Sequence, residues 1–263
     1  EYPYATTALN EQTERRCHKY MSTDFQRFDG AICISEKLLE MALRYAPNKH
    51  HIKIPIIIDE TKWNFSNVEP FQTDFPYIFH SGTLYQQKDG ILDVLSAFAK
   101  ALPHLPQGIR YIFTGNIDKS PDREAIKQLI LEHDLEGRVI FLAYLSQDVM
   151  CQYIKGASLF VINKKDNLQN QYCFATKLGE YLLSGNPVLT TDIGEAMNYL
   201  KNNESVYIIK HDSTDSLAAT LISALTDENR SRNIGHNGLL VARTNFTCTA
   251  ISSKLNQYFK QFV

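Results

Sequence analysis

Short apolar runs alternate with amphipathic segments along the chain from Tyr77 onward. The apolar runs read Y-I-F-H-S-G, R-Y-I-F-T-G, R-V-I-F-L, S-L-F-V-I, P-V-L-T-T and S-V-Y-I-I. They are continuous rather than alternating, and they are rich in β-branched and aromatic residues, as is typical of parallel strands buried on both faces. The pattern therefore predicts six strands of one parallel sheet.

Helical spacing of apolar residues predicts helices between these strands. From Asp89 to Leu102 the apolar residues recur three and four positions apart, so they form one stripe. Similar patterns predict helices over residues 123–133, 147–155, 176–184, 194–200 and 214–225. Regular alternation of strand and helix requires βαβ crossovers, and the predicted fold class is α/β with a doubly wound, Rossmann-like parallel sheet.

The alternation breaks upstream of Tyr77. Residues 66–76 are mostly polar and contain two prolines, which indicates a linker. Residues 1–65 carry signals for only two strands and a helix capped by Ser35, so we expect a remnant of a second α/β domain. Residues 77–247 are expected to form the main domain, and residues 248–263 a C-terminal helix that packs back toward the N-terminal part.

Composition and charge argue against several kinds of partner and site. The chain is 44% hydrophobic and 21% charged, with a formal net charge of -2 and no block of like charges, so nothing favours a nucleic-acid partner. Five scattered cysteines without a C-x-x-C pair predict neither a zinc site nor a disulfide framework. This cysteine usage suits a reducing cytoplasm, and no apolar run reaches the length of a membrane span.

Several catalytic motifs are missing. The sequence has no P-loop, no G-x-S-x-G, no G-x-G-x-x-G and no H-E-x-x-H. These absences count against an NTPase, an α/β-hydrolase, a standard dinucleotide dehydrogenase and a zinc peptidase. We predict no metal site.

Candidate chemistry lies where predicted strands end, because ligands of open parallel sheets bind outside the carboxyl ends of the strands. Gly82 ends the first strand and allows close approach of a ligand, and Lys88 supplies a mobile charge for phosphate. Gly115 follows the second strand in the same way. Ordinary tight turns also explain both glycines.

The stretch F-A-T-K-L-G-E, Phe174 to Glu180, starts a predicted helix. Unpaired backbone N–H groups at Ala175, Thr176 and Lys177 would hold a phosphate, and Lys177 adds positive charge. Glu180 lies about one turn further on, where a carboxylate can accept hydrogen bonds from the two hydroxyls of a ribose. The spacing is equally consistent with an i,i+3 ion pair on a helix surface.

The motifs S-G-T-L-Y-Q-Q-K-D-G, Y-I-F-T-G, V-I-F-L-A-Y-L-S and A-T-K-L-G-E-Y-L-L-S-G-N-P-V follow one another in this order. In this they resemble the C-terminal domain of the family-4 retaining glycosyltransferases, which have the GT-B fold. The upstream F-D-G-A-I-C-I-S-E-K-L and I-P-I-I-I-D resemble the end of the N-terminal domain of that family. The resemblance covers the chain from about Phe28.

The resemblance implies transfer of a hexose-type sugar from a nucleotide-sugar donor to a glycan or lipid-linked acceptor, with retention and without a divalent metal or other cofactor. Glu180 matches the second glutamate of the family's E-x7-E motif, which binds the ribose, and Lys88 matches a residue that contacts the diphosphate. The resemblance implies a nucleotide-sugar site formed by Gly82, Thr83, Lys88, Gly115, Tyr172, Phe174, Ala175, Thr176, Lys177 and Glu180.

Three positions depart from the family pattern. Tyr172 stands where the first glutamate of E-x7-E is expected, Thr83 stands in place of an arginine, and Ala143 in place of a glycine. We interpret Tyr172 as a difference in donor specificity. The alternatives are a non-catalytic nucleotide-sugar-binding or partner-docking module and a sugar-nucleotide 2-epimerase.

The length of the chain also departs from the family. A complete two-domain enzyme needs roughly another hundred residues upstream, and the chain does not start with methionine. We therefore expect a fragment whose catalytic residues lie upstream and which binds nucleotide with little or no transfer. By family analogy the whole protein acts in cell-envelope polysaccharide synthesis in the cytoplasm, and the missing domain allows peripheral association with the inner face of the membrane.

Overall fold

A six-stranded parallel sheet confirms the predicted α/β fold class. The structure is a computed structural model that describes residues 11–262, so the predicted domain limits at residues 1 and 263 lie outside the described residues. Its strands are β1 (Gly30–Cys33), β2 (His50–Lys53), β3 (Tyr77–Ser81), β4 (Arg110–Thr114), β5 (Val139–Leu142), β6 (Leu159–Ile162), β7 (Val188–Thr191) and β8 (Tyr207–Ile209). The large sheet has the order β5-β4-β3-β6-β7-β8, and the separate pair β1–β2 is also parallel.

Helices connect the strands of the large sheet. In chain order the α-helices of the described part are α1 (Glu11–Lys19), α2 (Glu36–Tyr45), α3 (Gln86–Asp89), α4 (Ile91–Ala101), α5 (Arg123–Glu132), α6 (Gln147–Gly156), α7 (Leu168–Tyr172), α8 (Thr176–Ser184), α9 (Thr214–Thr226), α10 (Glu228–Asn245) and α11 (Cys248–Phe259). Within residues 11–262 no helix is both long and apolar enough to cross a membrane.

Some predicted helices differ from the observed ones. The helix predicted from Asp89 is broken at Gly90, whose left-handed backbone (φ 57°) ends α3 before α4 begins. The helix predicted over 194–200 is a short 3-10 helix, Glu195–Asn198. The sequence pattern did not predict α7, which has few apolar residues and starts at a polar cap, the Asn167 side chain.

The sheet separates two apolar cores because successive strand residues point to opposite faces. Ile78 packs with α4 and α9 on one face. Phe79 packs on the other face with α6, α8 and α10. The segment before β3 contributes Ile58 and Phe65 to this second core, so the residues between the β1–β2 pair and the main sheet are packed against it.

A buried carboxylate joins the N-terminal part to the main sheet. Glu195, which follows β7, forms an ion pair with the ammonium of Lys53 (2.9 Å) and accepts a hydrogen bond from the backbone N–H of Glu36 (2.7 Å) at the start of α2. Near the other end of the chain, Tyr258 of α11 donates its hydroxyl to the carbonyl of His50 (2.9 Å). These contacts place β1, α2 and β2 beside the carboxyl ends of the large sheet.

The C-terminal end of helix α8 lies in close contact with helix α10. Gly185 ends the helix in a left-handed conformation (φ 80°), as predicted for a C-cap. Gly235 of α10 lies so close that a Cβ at this position would be 2.3 Å from the Gly185 carbonyl oxygen. The absence of a side chain at Gly235 therefore lets α10 lie directly against the end of α8.

Candidate functional site

A cavity of about 740 Å³ opens at the carboxyl ends of β3, β4 and β6. It lies where the strand order reverses, because β3 pairs with β4 on one side and with β6 on the other. Open parallel sheets bind ligands at such a switch point. Of the predicted site residues, the cavity is lined by Gly82, Thr83, Lys88, Gly115, Tyr172, Phe174, Ala175, Thr176 and Lys177, but not by Glu180.

The start of α8 forms one wall of the cavity. Ala175 occupies the N-cap position, and its methyl side chain cannot accept a hydrogen bond from the first N–H groups of the helix. Phe174 is buried, with its ring stacked on Tyr199 at 5.7 Å and edge-on to Phe246 at 5.3 Å. The side chain of Phe174 thus anchors the helix start in the core rather than offering a polar contact to a ligand.

Lys177 and Glu180 form an ion pair in the structure. The Lys177 ammonium lies 3.1 Å from a carboxylate oxygen of Glu180, and only 13% of the Glu180 side chain is exposed. Burial raises the pKa of the Glu180 carboxyl above its usual value, and the charge and hydrogen bond of Lys177 offset only part of the rise. This carboxylate is therefore largely buried rather than solvated.

Gly82 and Gly115 bring two loops together beneath the cavity. A Cβ at Gly115, which has φ 132°, would be 2.6 Å from the carbonyl oxygen of Gly82. A Cβ at Gly82 would be 2.7 Å from Nε2 of His80. Both positions require glycine because backbone or a buried ring fills the space of a side chain.

A buried charge cluster forms the floor beside Gly82. Asp89 contacts the ammonium of Lys164 and accepts the Thr83 hydroxyl at 2.9 Å. Burial by itself would raise the pKa of Asp89, but Lys164 and the Thr83 hydrogen bond contribute to a net pKa below the usual range. Asp89 is therefore ionised at neutral pH.

His80 lies under the same loop as a neutral imidazole. Its Nδ1 is 3.0 Å from the Val161 carbonyl oxygen, which assigns the ring proton to Nδ1. Burial lowers the pKa of His80, and within the described part of the chain its Nε2 has no hydrogen-bond partner. The floor of the cavity thus includes an uncharged acceptor atom.

Tyr172 ends α7 at the edge of the cavity. Its backbone carbonyl accepts the Ser35 hydroxyl (2.8 Å), and the Lys37 ammonium lies 5.7 Å from the centre of its ring. A phenol cannot accept hydrogen bonds from sugar hydroxyls as a carboxylate does. The side chain at this position therefore offers a phenol in place of the carboxylate of the family pattern.

Sequence reasoning missed several residues of the wall. Asp89 and His80 lie within quoted sequence runs but were given no role there, and Lys164 lies in none of the motifs. Tertiary contact places all three in the wall. Ile34 and Leu38 reach the cavity from the N-terminal part. Within residues 11–262, no group of three or more His, Cys, Asp or Glu side chains is arranged to hold a metal ion.

Comparison with known families gives one match that covers more than half of the chain. The model of the family described as "Glycosyl transferases group 1" matches residues 61–240. N-acetyl-alpha-D-glucosaminyl L-malate synthase from Bacillus anthracis is 26% identical over 145 residues, which are 55% of this chain and 35% of that protein.

Solved structures share the fold at low identity. Sucrose-phosphate synthase from Thermosynechococcus elongatus superposes with a TM-score of 0.76 and 18% identity, over 100% of this chain and 66% of its own. HepE from Anabaena, in complex with UDP and glucose, gives 0.74 and 16%, over 96% of this chain and 67% of its own. The chain thus spans about two thirds of the length of these two proteins, and its match to the N-acetyl-alpha-D-glucosaminyl L-malate synthase covers about a third of that protein.

We predict that Glu180→Gln stabilises the chain at neutral pH. Because the pKa of Glu180 is raised by folding, its neutral form stabilises the fold below the unfolded pKa, and this contribution is lost as the pH rises through the folded value. In urea unfolding, the variant should have the higher midpoint at pH 7.5, and the difference should shrink as the pH is lowered toward 5.

Glu204→Gln is the matched control. Lys201 and Glu204 form a pair with the same order and spacing as Lys177 and Glu180, but both side chains are well exposed. Exposed pairs contribute little, so we expect a change of at most about 0.5 kcal/mol in the free energy of unfolding. A Glu180→Gln variant that is less stable than the original chain at pH 7.5 would contradict the prediction.

Proposed function

The chain belongs to the group 1 glycosyltransferases, and we propose that it binds a nucleotide-sugar donor in the cavity at the β3–β6 switch point. The proposal rests above all on one observation: the uncapped start of α8, Lys177 and Lys88 face the same cavity. Helix N-termini and lysines are suited to phosphate groups. HepE, a structural neighbour, was determined with UDP-glucose, which supports a donor of this chemical class.

Each part of the donor has a proposed binding element. The diphosphate lies between the start of α8 and Lys88, with the glycine loop at Gly82 allowing close approach. The ribose lies toward Glu180, which turns from its pair with Lys177 to accept the two ribose hydroxyls. Without a donor, the charges of Lys177 and Glu180 compensate each other through their 3.1 Å ion pair.

The proposed reaction is transfer of a hexose-type sugar to a glycan or lipid-linked acceptor with retention of configuration. Lysines and the helix dipole stabilise the charge that develops on the leaving diphosphate, so no divalent metal is required. Family analogy supports a role in cell-envelope polysaccharide synthesis at the cytoplasmic side of the membrane.

A second candidate is a nucleotide-sugar-binding module that does not catalyse transfer. The observation that favours it is Tyr172, whose ring replaces the carboxylate that the family pattern places at the sugar end of the site, together with Thr83 in place of a basic side chain. Binding is common to both candidates, whereas only the transferase cleaves its donor.

We predict that the chain binds at least one of UDP, GDP and ADP in calorimetry and that Lys88→Ala weakens this binding. Hydrogen bonds to charged groups contribute about 1.5–3 kcal/mol, so the loss should be roughly 10-fold or more. Lys127→Ala is the control, because Lys127 is exposed on α5 beside Glu124 and away from the cavity. Absence of binding to all three nucleotides would reject the proposal.

The ribose role of Glu180 has a separate test. We predict that the chain prefers a nucleoside diphosphate over its 2′,3′-dideoxy analogue and that Glu180→Ala removes this preference. The reason is that Glu180 accepts hydrogen bonds only from the hydroxyls that the analogue lacks. If Glu180→Ala lowers the affinity for both compounds equally, the glutamate does not contact the ribose.

Retention and metal independence are tested by slow hydrolysis of the donor. The product of the natural gene, incubated with α-linked nucleotide sugars in EDTA, should first release the α-anomer of the sugar, as proton NMR can detect. First release of the β-anomer would contradict retention. Binding without any release over long incubation would favour the module, and release that needs added Mg²⁺ would contradict metal independence.

A further inference from the structure

Three lysines line the cavity, and the proposed function uses only two of them. Lys88 and Lys177 come from the ends of α3 and α8, whereas Lys164 comes from the loop after β6. With Asp89 as the charged acid of the wall, the lining carries a net charge of two positive units. Glu180 lies just outside the lining and offsets the charge of Lys177, so a smaller positive surplus remains, which still favours an anion.

The ammonium of Lys164 is held at the loop that ends β3. It contacts one carboxylate oxygen of Asp89, and the other oxygen accepts the Thr83 hydroxyl at 2.9 Å. Thr83 is the residue after Gly82, on the cavity side of the switch point. The chain Lys164–Asp89–Thr83 therefore brings a cation from β6 to the loop where a diphosphate would lie.

The backbone of Lys164 is fixed as well. Its N–H donates to the hydroxyl oxygen of Thr191 (3.0 Å), and the same hydroxyl lies 3.1 Å from the Lys164 carbonyl oxygen. Thr191 is fully buried at the end of β7. A lysine with both backbone groups bound and its ammonium held loses little freedom when a ligand binds.

The ammonium of Lys164 also has N–H donors left for a ligand. An ammonium has three N–H donors, and among the described residues Lys164 uses its side chain only for Asp89. The side chains of Lys164 and Asp89 are 16% and 7% exposed. A pair buried to this extent contributes little net stability compared with apolar residues, so stability does not explain why the chain carries it.

We propose that Lys164 binds the diphosphate of the donor and that Asp89 is a positioning residue that holds its ammonium beside Thr83. This inference rests on the proposed function, since it assigns a further residue to the same site. Lys164 compensates for Thr83, whose hydroxyl carries no charge and is engaged by Asp89.

The test is Lys164→Met, measured by calorimetry with whichever of UDP, GDP and ADP binds the original chain best. We expect the diphosphate to bind roughly 10-fold more weakly or worse, because a charged hydrogen bond is lost. Binding of the matching nucleoside, which has no phosphate, should stay within about 2-fold. A purely structural role would weaken both ligands alike.

Lys165→Met is the matched control. Lys165 is the next residue and is also paired with carboxylates, Asp93 at 2.8 Å and Asp212, but it does not line the cavity. We expect the affinity of the Lys165→Met variant for the nucleoside diphosphate to stay within about 2-fold of that of the original chain. Equal losses in Lys164→Met and Lys165→Met would overturn the inference.

Repeating the Lys164→Met measurement in an Asp89→Asn variant tests whether the effect comes from Asp89 instead of Lys164. In Lys164→Met alone, Asp89 loses its partner, which could destabilise the fold or repel phosphate. Asp89→Asn removes that charge while its amide oxygen can still accept the Thr83 hydroxyl. The loss caused by Lys164→Met should persist in the Asp89→Asn background. If it disappears there, repulsion by Asp89 explains it and Lys164 is not a phosphate contact.

The two proposals fail in different ways. If the original chain binds no nucleoside diphosphate, the proposed function is wrong. If the original chain binds and Lys88→Ala weakens binding but Lys164→Met does not, only the assignment of Lys164 is wrong.

Discussion

The parallel pairing of β3 with β4 on one side and with β6 on the other is the constraint on which the site depends. Crossovers from a parallel strand leave toward opposite faces where the order reverses, so the connections at this point diverge and leave a crevice. The loops after β3, β4 and β6 and the start of α8 all meet there. Side chains that are far apart in sequence, such as Thr83, Lys164 and Lys177, become neighbours only through this reversal.

The charges of the cavity follow from the cost of burying an unpaired ion. Two lysines of the wall have a carboxylate beside them: Glu180 lies beside Lys177, and Asp89 lies beside Lys164. The two carboxylates differ, however. Burial raises the pKa of Glu180, whereas the net pKa of Asp89 is lowered. Glu180 is thus the carboxylate whose ionisation the fold disfavours.

The N-terminal part completes the cavity through a few directed contacts. The buried carboxylate of Glu195 binds Lys53 and the first N–H group of α2, and Ser35 donates to the carbonyl of Tyr172. These bonds place Ile34 and Leu38 on the cavity wall opposite the charged loops. One side of the cavity is therefore apolar and the other charged.

The sequence by itself determined the fold class, the six strands of the main sheet and the start of α8. These features depend on local spacing and on caps such as Gly185, and a pattern of neighbouring residues is enough to predict them. The motifs also placed Gly82, Lys88, Gly115 and Lys177 at strand and helix ends. Only the tertiary structure decided that Glu180 is buried against Lys177 outside the cavity wall, and that Lys164 reaches Asp89 and Thr83 across the switch point. The physical reason is that burial and long-range ion pairs arise from packing between elements, and sequence spacing carries no record of them.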